Sequence, residues 1–105
     1  MAFVHLHNHT EYSLLDGLTH VKDMVRRAAD LDMPAVAITD HGVMSGVPEL
    51  CDACTAVEKE TGKKVKPIYG CEVYFTTDEE LRKDVKPKLY HLLLLAKTNE
   101  GYHNL

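Results

Sequence analysis

The chain has 105 residues, 45% of them apolar and 27% charged, with a formal net charge of −4. That length supports one modest core, the composition excludes wholesale disorder, and the acidic balance excludes a nucleic-acid clamp acting by bulk charge. The longest apolar run, Leu92 to Ala96, falls well short of the roughly 18–20 residues a membrane span needs, and no secretory leader opens the sequence. A cytoplasmic location with no membrane partner is therefore expected.

Phe3 to Leu6 reads as a short strand of bulky residues. A polar turn at Asp16-Gly17 leads to Thr19, a candidate helix N-cap. Val21, Met24, Val25, Ala28 and Leu31 then recur at i, i+3, i+4, i+7 and i+10, the apolar stripe of a helix that Pro34 is expected to stop. Ala35 to Thr39 is a buried-type strand. Val47, Leu50, Cys51, Cys54 and Val57 repeat the helical spacing, and Gly62 ends that helix. Val65 to Tyr69 and Val73 to Phe75 are further strand material. Thr76 to Lys88 is a charged loop with room for one helical turn, and Leu89 to Ala96 is a strand followed by Asn99 as a helix cap. Strand and helix alternate over short links, which predicts an α/β fold with parallel strands. There is no internal repeat and no low-complexity linker.

Two lysine groups, at Lys63, Lys64 and Lys66 and at Lys83, Lys86 and Lys88, read as solvated surface. Three cysteines make an odd count without a secretory context, so no disulfide framework is expected. Cys51 and Cys54 form a C-x-x-C pair, but both fall on the apolar stripe of the second helix and read as small buried hydrophobes. Cys71 reads as a buried neighbour of Glu72.

The unusual count is seven histidines, since imidazole is the commonest metal ligand. His5, His7 and His9 alternate, and residues i and i+2 of a strand share a face about 6.6 Å apart, so neighbouring pairs can close on a common ion. The next strand ends in Thr39-Asp40-His41-Gly42, a later one carries Gly70-Cys71-Glu72, and another opens with Tyr90-His91. Sites in open α/β sheets and barrels form where the carboxyl ends of strands meet, which places Asp16, Asp40, His41 and Glu72 near one rim. His91 opens its strand, so it converges only if that strand runs antiparallel. Mixed imidazole and carboxylate ligands suit zinc, manganese or iron. Two such ions about 3.5–4 Å apart serve in-line phosphoryl displacement.

The run from Phe3 through His5-Leu-His-Asn-His9 to Asp16-Gly17 resembles the first motif of the PHP metal-dependent phosphoesterase domains of bacterial replicative polymerases, the DNA polymerase III alpha family. Pro34 to Gly42 resembles that family's Thr-Asp-His-Gly signature, and Lys66 to Tyr74 is similar to its segment with a bridging glutamate. His91 to Lys97 and Gly101 to Leu105 resemble the next stretch of the polymerase form of the domain. The resemblance implies a distorted seven-stranded β/α barrel, of which residues 1–105 form the N-terminal portion, and a site for up to three divalent ions. It assigns His7 and His9 to a first ion, Asp16 and His41 to a second, Glu72 to the bridge and His91 to a later ligand position, with His7, His9 and Glu72 at the centre of catalysis. His5 is expected beside the ligands, and Asp40 is expected to orient them. The implied reaction is phosphoester hydrolysis linked to 3′–5′ exonuclease proofreading, with DNA and other replicative subunits as partners of the full-length polymerase. The family's later ligands have no counterpart before Leu105, so the segment is expected to be incomplete and poorly active alone. A free-standing PHP phosphatase and a structural metal-binding scaffold are the alternative readings. An amidohydrolase fits the Thr-Asp-His-Gly run poorly.

Overall fold

Ala35-Val-Ala-Ile38 is buried along its whole length, and the rest of the architecture is organised around it. The structure is a computed structural model describing residues 2–83 and 85–105. Met1 and Asp84, the latter within the predicted charged loop, lie outside the described residues. The elements are α1 (Val21–Asp30), β1 (Ala35–Ile38), α2 (Val47–Thr61), β2 (Lys66–Phe75), α3 (Asp78–Leu81), β3 (Tyr90–Leu95) and α4 (Asn99–Asn104). The sheet order is β1-β2-β3. β1 and β2 run parallel, with Ile38 opposite Tyr69, as a strand–helix–strand unit requires.

The α/β expectation holds, but an all-parallel sheet does not. β2 and β3 pair antiparallel, from Gly70 opposite Leu95 to Phe75 opposite Tyr90. Among the described residues between them only the short α3 intervenes, too short to carry the chain back across the sheet, and the strands pair antiparallel. The two predicted pieces of the third strand region are one continuous β2. Gly70 lies within it at a close approach to β3, where a Cβ would fall 2.5 Å from the Leu94 carbonyl oxygen.

Val21, Val25, Ala28 and Ala29 of α1 pack with Leu50, Ala53, Cys54 and Val57 of α2 over Val36 and Ile38. Each large aliphatic side chain buried in this way stabilises the fold by about 1.5–3 kcal/mol. Helix α1 ends before Pro34 is reached. Asp32 adopts φ 53°, and the N–H groups of Asp32 and Met33 bond the carbonyls of Ala29 and Ala28 at 3.0 and 2.9 Å, a Schellman closure with aspartate in the left-handed position. The predicted N-caps also shift by one residue. His20 precedes α1 without a side-chain cap, and Thr98, not Asn99, caps α4 through Gly101 N–H. Of the C-x-x-C pair, Cys54 is buried as expected but Cys51 is exposed, since it lies on the flank of the stripe that turns away from α1.

The predicted strand over Phe3 to Leu6 does not form. Residues 5–8 run beside β1, where Ala37 N–H donates to the His5 carbonyl (3.1 Å) and Thr39 N–H to the Asn8 carbonyl (2.9 Å). Donors two residues apart reach acceptors three residues apart, so this segment contains one residue more than a regular ladder. That surplus is a bulge, and it reverses which face the following side chains occupy. His5 is therefore separated from His7 and His9. Its ring stands edge-on to Phe3 at 4.7 Å in a groove lined by Met24, Ala28 and Val36.

Candidate metal centre

The ladder between β1 and β2 continues past Ile38. Glu72 N–H donates to the Asp40 carbonyl and Gly42 N–H to the Glu72 carbonyl, both at 3.0 Å. His41 is thereby paired with Glu72 in parallel register, and the Thr-Asp-His-Gly run is placed at the carboxyl end of the sheet. Asp40 is buried and points back into the fold. Its carboxylate accepts from Thr10 N–H at 2.5 Å and from the Thr10 hydroxyl at 2.9 Å.

Glu72 is the centre of the cluster. Its Oε2 lies 2.8 Å from His7 Nε2, 2.5 Å from His9 Nε2 and 3.8 Å from His41 Nδ1. Its Oε1 lies 3.0 Å from His91 Nδ1. Burial opposes ionisation of this carboxyl, but hydrogen bonds from His7 and His9 and the adjacent His41 hold it down to about 2. Asp16 joins the other side, its Oδ2 2.6 Å from His9 Nδ1 and 2.9 Å from His41 Nε2. All six residues expected as ligands, His7, His9, Asp16, His41, Glu72 and His91, converge. They form three overlapping triads, His7-His9-Glu72, His9-Asp16-His41 and His41-Glu72-His91, whose ligand atoms lie within 4.8 Å of one another.

The loop carrying Asp16 is tightly folded. Ser13 accepts the N–H groups of Asp16 and Gly17 at its carbonyl (3.1 and 2.9 Å), and its side-chain oxygen accepts His41 N–H (3.1 Å). Only glycine fits at position 17, because a Cβ there would stand 2.1 Å from the Thr10 carbonyl oxygen. Leu15 takes a left-handed φ of 67° just before Asp16, a conformation that costs a non-glycine residue energy and persists only where surroundings enforce it.

The donor chemistry fits divalent cations. His9 faces a carboxylate at each ring nitrogen, yet a neutral imidazole carries one N–H; an imidazolium, a protonated carboxyl or a cation shared by the groups would satisfy the second contact. His41 Nδ1 is buried with no hydrogen-bond partner among the described residues, aimed at a Glu72 oxygen too distant for a hydrogen bond. An ion between them would satisfy both.

The sequence reading missed four contributors. Asn8 and Thr39 splice the first segment to β1 through side-chain bonds. Thr10 holds Asp40, and the exposed Tyr74 ring stacks over His41 at 6.2 Å with its edge toward His91 at 5.3 Å. Tyr74 could have been found from alternation, since it follows Glu72 by two residues on one strand. The others depend on tertiary contacts with no periodic signal.

The profile of the PHP domain family matches residues 5–105. The chain belongs to the PHP family. The DNA polymerase III subunit alpha of Helicobacter pylori strain 26695 is 45% identical over 104 residues, 99% of this chain and 8% of that protein. The subunit alpha of Treponema pallidum is 40% identical over 108 aligned positions, covering the whole chain and 9% of the relative. This PHP chain thus spans less than a tenth of the length of those polymerases. Among solved structures, a protein from Bifidobacterium adolescentis described as a metal-dependent phosphoesterase superposes with TM-score 0.58 and 29% identity, over 89% of this chain and 26% of that one. The likeness to that phosphoesterase extends to the mixed α/β architecture.

Proposed function

We propose that this PHP segment holds divalent transition ions, zinc, manganese or iron, and hydrolyses phosphoesters as the first part of a barrel at the N-terminus of a DNA polymerase III alpha subunit. The carrying observation is Glu72, one carboxylate that meets four imidazoles. His7 and His9 with Glu72 would hold a first ion, Asp16 with His41 a second, and His91 with Glu72 the remaining position, for up to three ions in the completed barrel. When bound, such ions supply Lewis acidity to a phosphoester. His7, His9 and Glu72 form the catalytic centre of this reading. Glu72 stays ionised and fixes the imidazoles facing it, Asp16 accepts from His9 and so sets its tautomer, and Asp40 holds the Thr10 turn in place.

The identity to polymerase alpha subunits along the whole chain favours a nucleic-acid 3′ end as substrate, in a 3′–5′ exonuclease function. DNA and the other replicative subunits would then be partners through the full-length protein, in the cytoplasm; among the described residues no helix is long and apolar enough to cross a membrane. The phosphoesterase likeness favours a second reading, a free-standing phosphatase acting on a small phosphate monoester. The native protein, purified and loaded with Mn²⁺, is assayed on a 3′-end-labelled oligonucleotide and on a small chromogenic monoester, with Glu72→Gln alongside. Metal-dependent release of nucleotides that Glu72→Gln abolishes is expected. Hydrolysis of the monoester alone would favour the phosphatase, and bound metal without either activity a structural scaffold.

A further inference from the structure

The bulge between residues 5 and 8 has a side chain built into it. In a regular parallel ladder, with Ala37 N–H on the His5 carbonyl, the next bond runs from His7 N–H to the Ala37 carbonyl. Here the side-chain amide of Asn8 takes that place, donating to the Ala37 carbonyl at 2.9 Å and back to the His5 carbonyl at 3.2 Å. Both neighbours are acceptors, so the amide nitrogen, not the oxygen, faces them. Thr39, fully buried, completes the splice. Its Oγ1 accepts Asn8 N–H at 2.9 Å and donates to the Asn8 carbonyl at 3.2 Å, while its own N–H meets that carbonyl at 2.9 Å.

The consequence falls on the residues either side of Asn8. His7 and His9 present their Nε2 atoms to one oxygen of Glu72, with ring centroids 5.2 Å apart. We infer that Asn8, with Thr39, is the positioning residue of the metal centre: its amide replaces the missing ladder bond and so aims both neighbouring imidazoles at Glu72. Without the amide donor the Ala37 carbonyl loses its partner, and the segment gains by sliding back to a regular register, which would turn His7 away from Glu72.

This inference rests on the metal reading, and the test separates the two. In the native protein Asn8→Asp is nearly isosteric but offers the Ala37 carbonyl no donor, and its added negative charge would by itself strengthen cation binding. Thr39→Val removes the acceptor for Asn8 N–H, whereas Thr39→Ser keeps it. Mn²⁺ affinity is measured by titration, the ligand geometry by the visible spectrum of Co²⁺-loaded protein, and the fold by melting in chelator. Asn8→Asp and Thr39→Val are expected to bind Mn²⁺ about ten- to a hundredfold more weakly, the range for groups that orient metal ligands, with an altered Co²⁺ spectrum; Thr39→Ser is expected to restore both. Wild-type affinity and spectrum in Asn8→Asp and Thr39→Val would overturn the positioning role, even if their metal-free melting falls. If one of them does not fold, Asn8→Ala stands in for it under the same criteria. A wild-type protein that binds neither ion would overturn the metal reading itself, and the positioning role with it.

Discussion

Glu72 and His91 meet diagonally across the antiparallel pair of β2 and β3, with Oε1 3.0 Å from Nδ1. Glu72 stands opposite Leu93 and Tyr74 opposite His91, so glutamate and imidazole share a face at the diagonal spacing long side chains can bridge. The reversal of β3 makes this contact. A parallel third strand would begin at the opposite end of the sheet, with its first residues far from the rim.

Metal content should separate His9 from His5, although both belong to the alternating run. His9→Ala removes an imidazole shared by two triads, Nε2 facing Glu72 and Nδ1 facing Asp16, and elemental analysis of the native protein is expected to show fewer ions per chain. His5→Ala should leave the content unchanged. Equal stoichiometry in wild type and His9→Ala would remove His9 from the ligand set.

The Glu72 carboxyl, held at about 2 in the fold against an ordinary 4.5, predicts an acid-sensitive share of stability. A depressed carboxyl stabilises the folded state fully above the unfolded value, and that share fades as pH falls from 4.5 toward 2. In chelator, the melting-temperature advantage of wild type over Glu72→Gln should therefore be present near pH 6 and vanish near pH 2. A pH-independent difference would contradict it.

Asp40→Ala should destabilise the fold by about 3 kcal/mol, the scale for losing hydrogen bonds to a buried charged group and stranding their donors. The stranded groups are the Thr10 N–H and hydroxyl. Asp40→Asn keeps one acceptor oxygen for two donors and should fall between. Denaturant unfolding measures both, and an Asp40→Ala variant as stable as wild type would show the pair to be idle.

The cysteines differ in exposure, and their chemistry should follow. Iodoacetamide near pH 8 is expected to label Cys51 ahead of Cys54 and Cys71, as peptide mass analysis would reveal. Burial, helped by the neighbouring Cys51, pushes the Cys54 thiol up to about 11 from 9.0. The folded chain thus keeps that thiol protonated where the unfolded chain ionises it. The stabilisation is complete below 9 and is lost as pH rises toward 11. Cys54→Ala should flatten that alkaline fall in melting temperature; an unchanged slope would argue against it.

Much of the fold was legible because it was periodic or local. The stripes of α1 and α2, the buried β1 and the charged loop with its short α3 all derive from spacing and composition. The residues of the cluster were legible as chemistry, since histidines and carboxylates at strand ends have few other reasons to gather. The bulge was not legible, because the bonds that stabilise it come from Asn8 and Thr39, which lie 31 positions apart. His5 was misplaced for that reason alone. The antiparallel β3 was equally hidden, because a run such as His91-Leu-Leu-Leu-Leu95 pairs in either direction, and its neighbour decides.

His7 reaches Glu72 across 65 positions of chain, and the last imidazole on that carboxylate arrives only with β3. During synthesis, therefore, the first histidines leave the ribosome long before their shared acceptor exists. They can offer an ion only the weak grip of a loose peptide, whose loop must still close against its own entropy. The arrangement of imidazoles around Glu72 is therefore a product of sheet assembly, complete only once β3 has paired with β2 and brought His91 to the carboxylate.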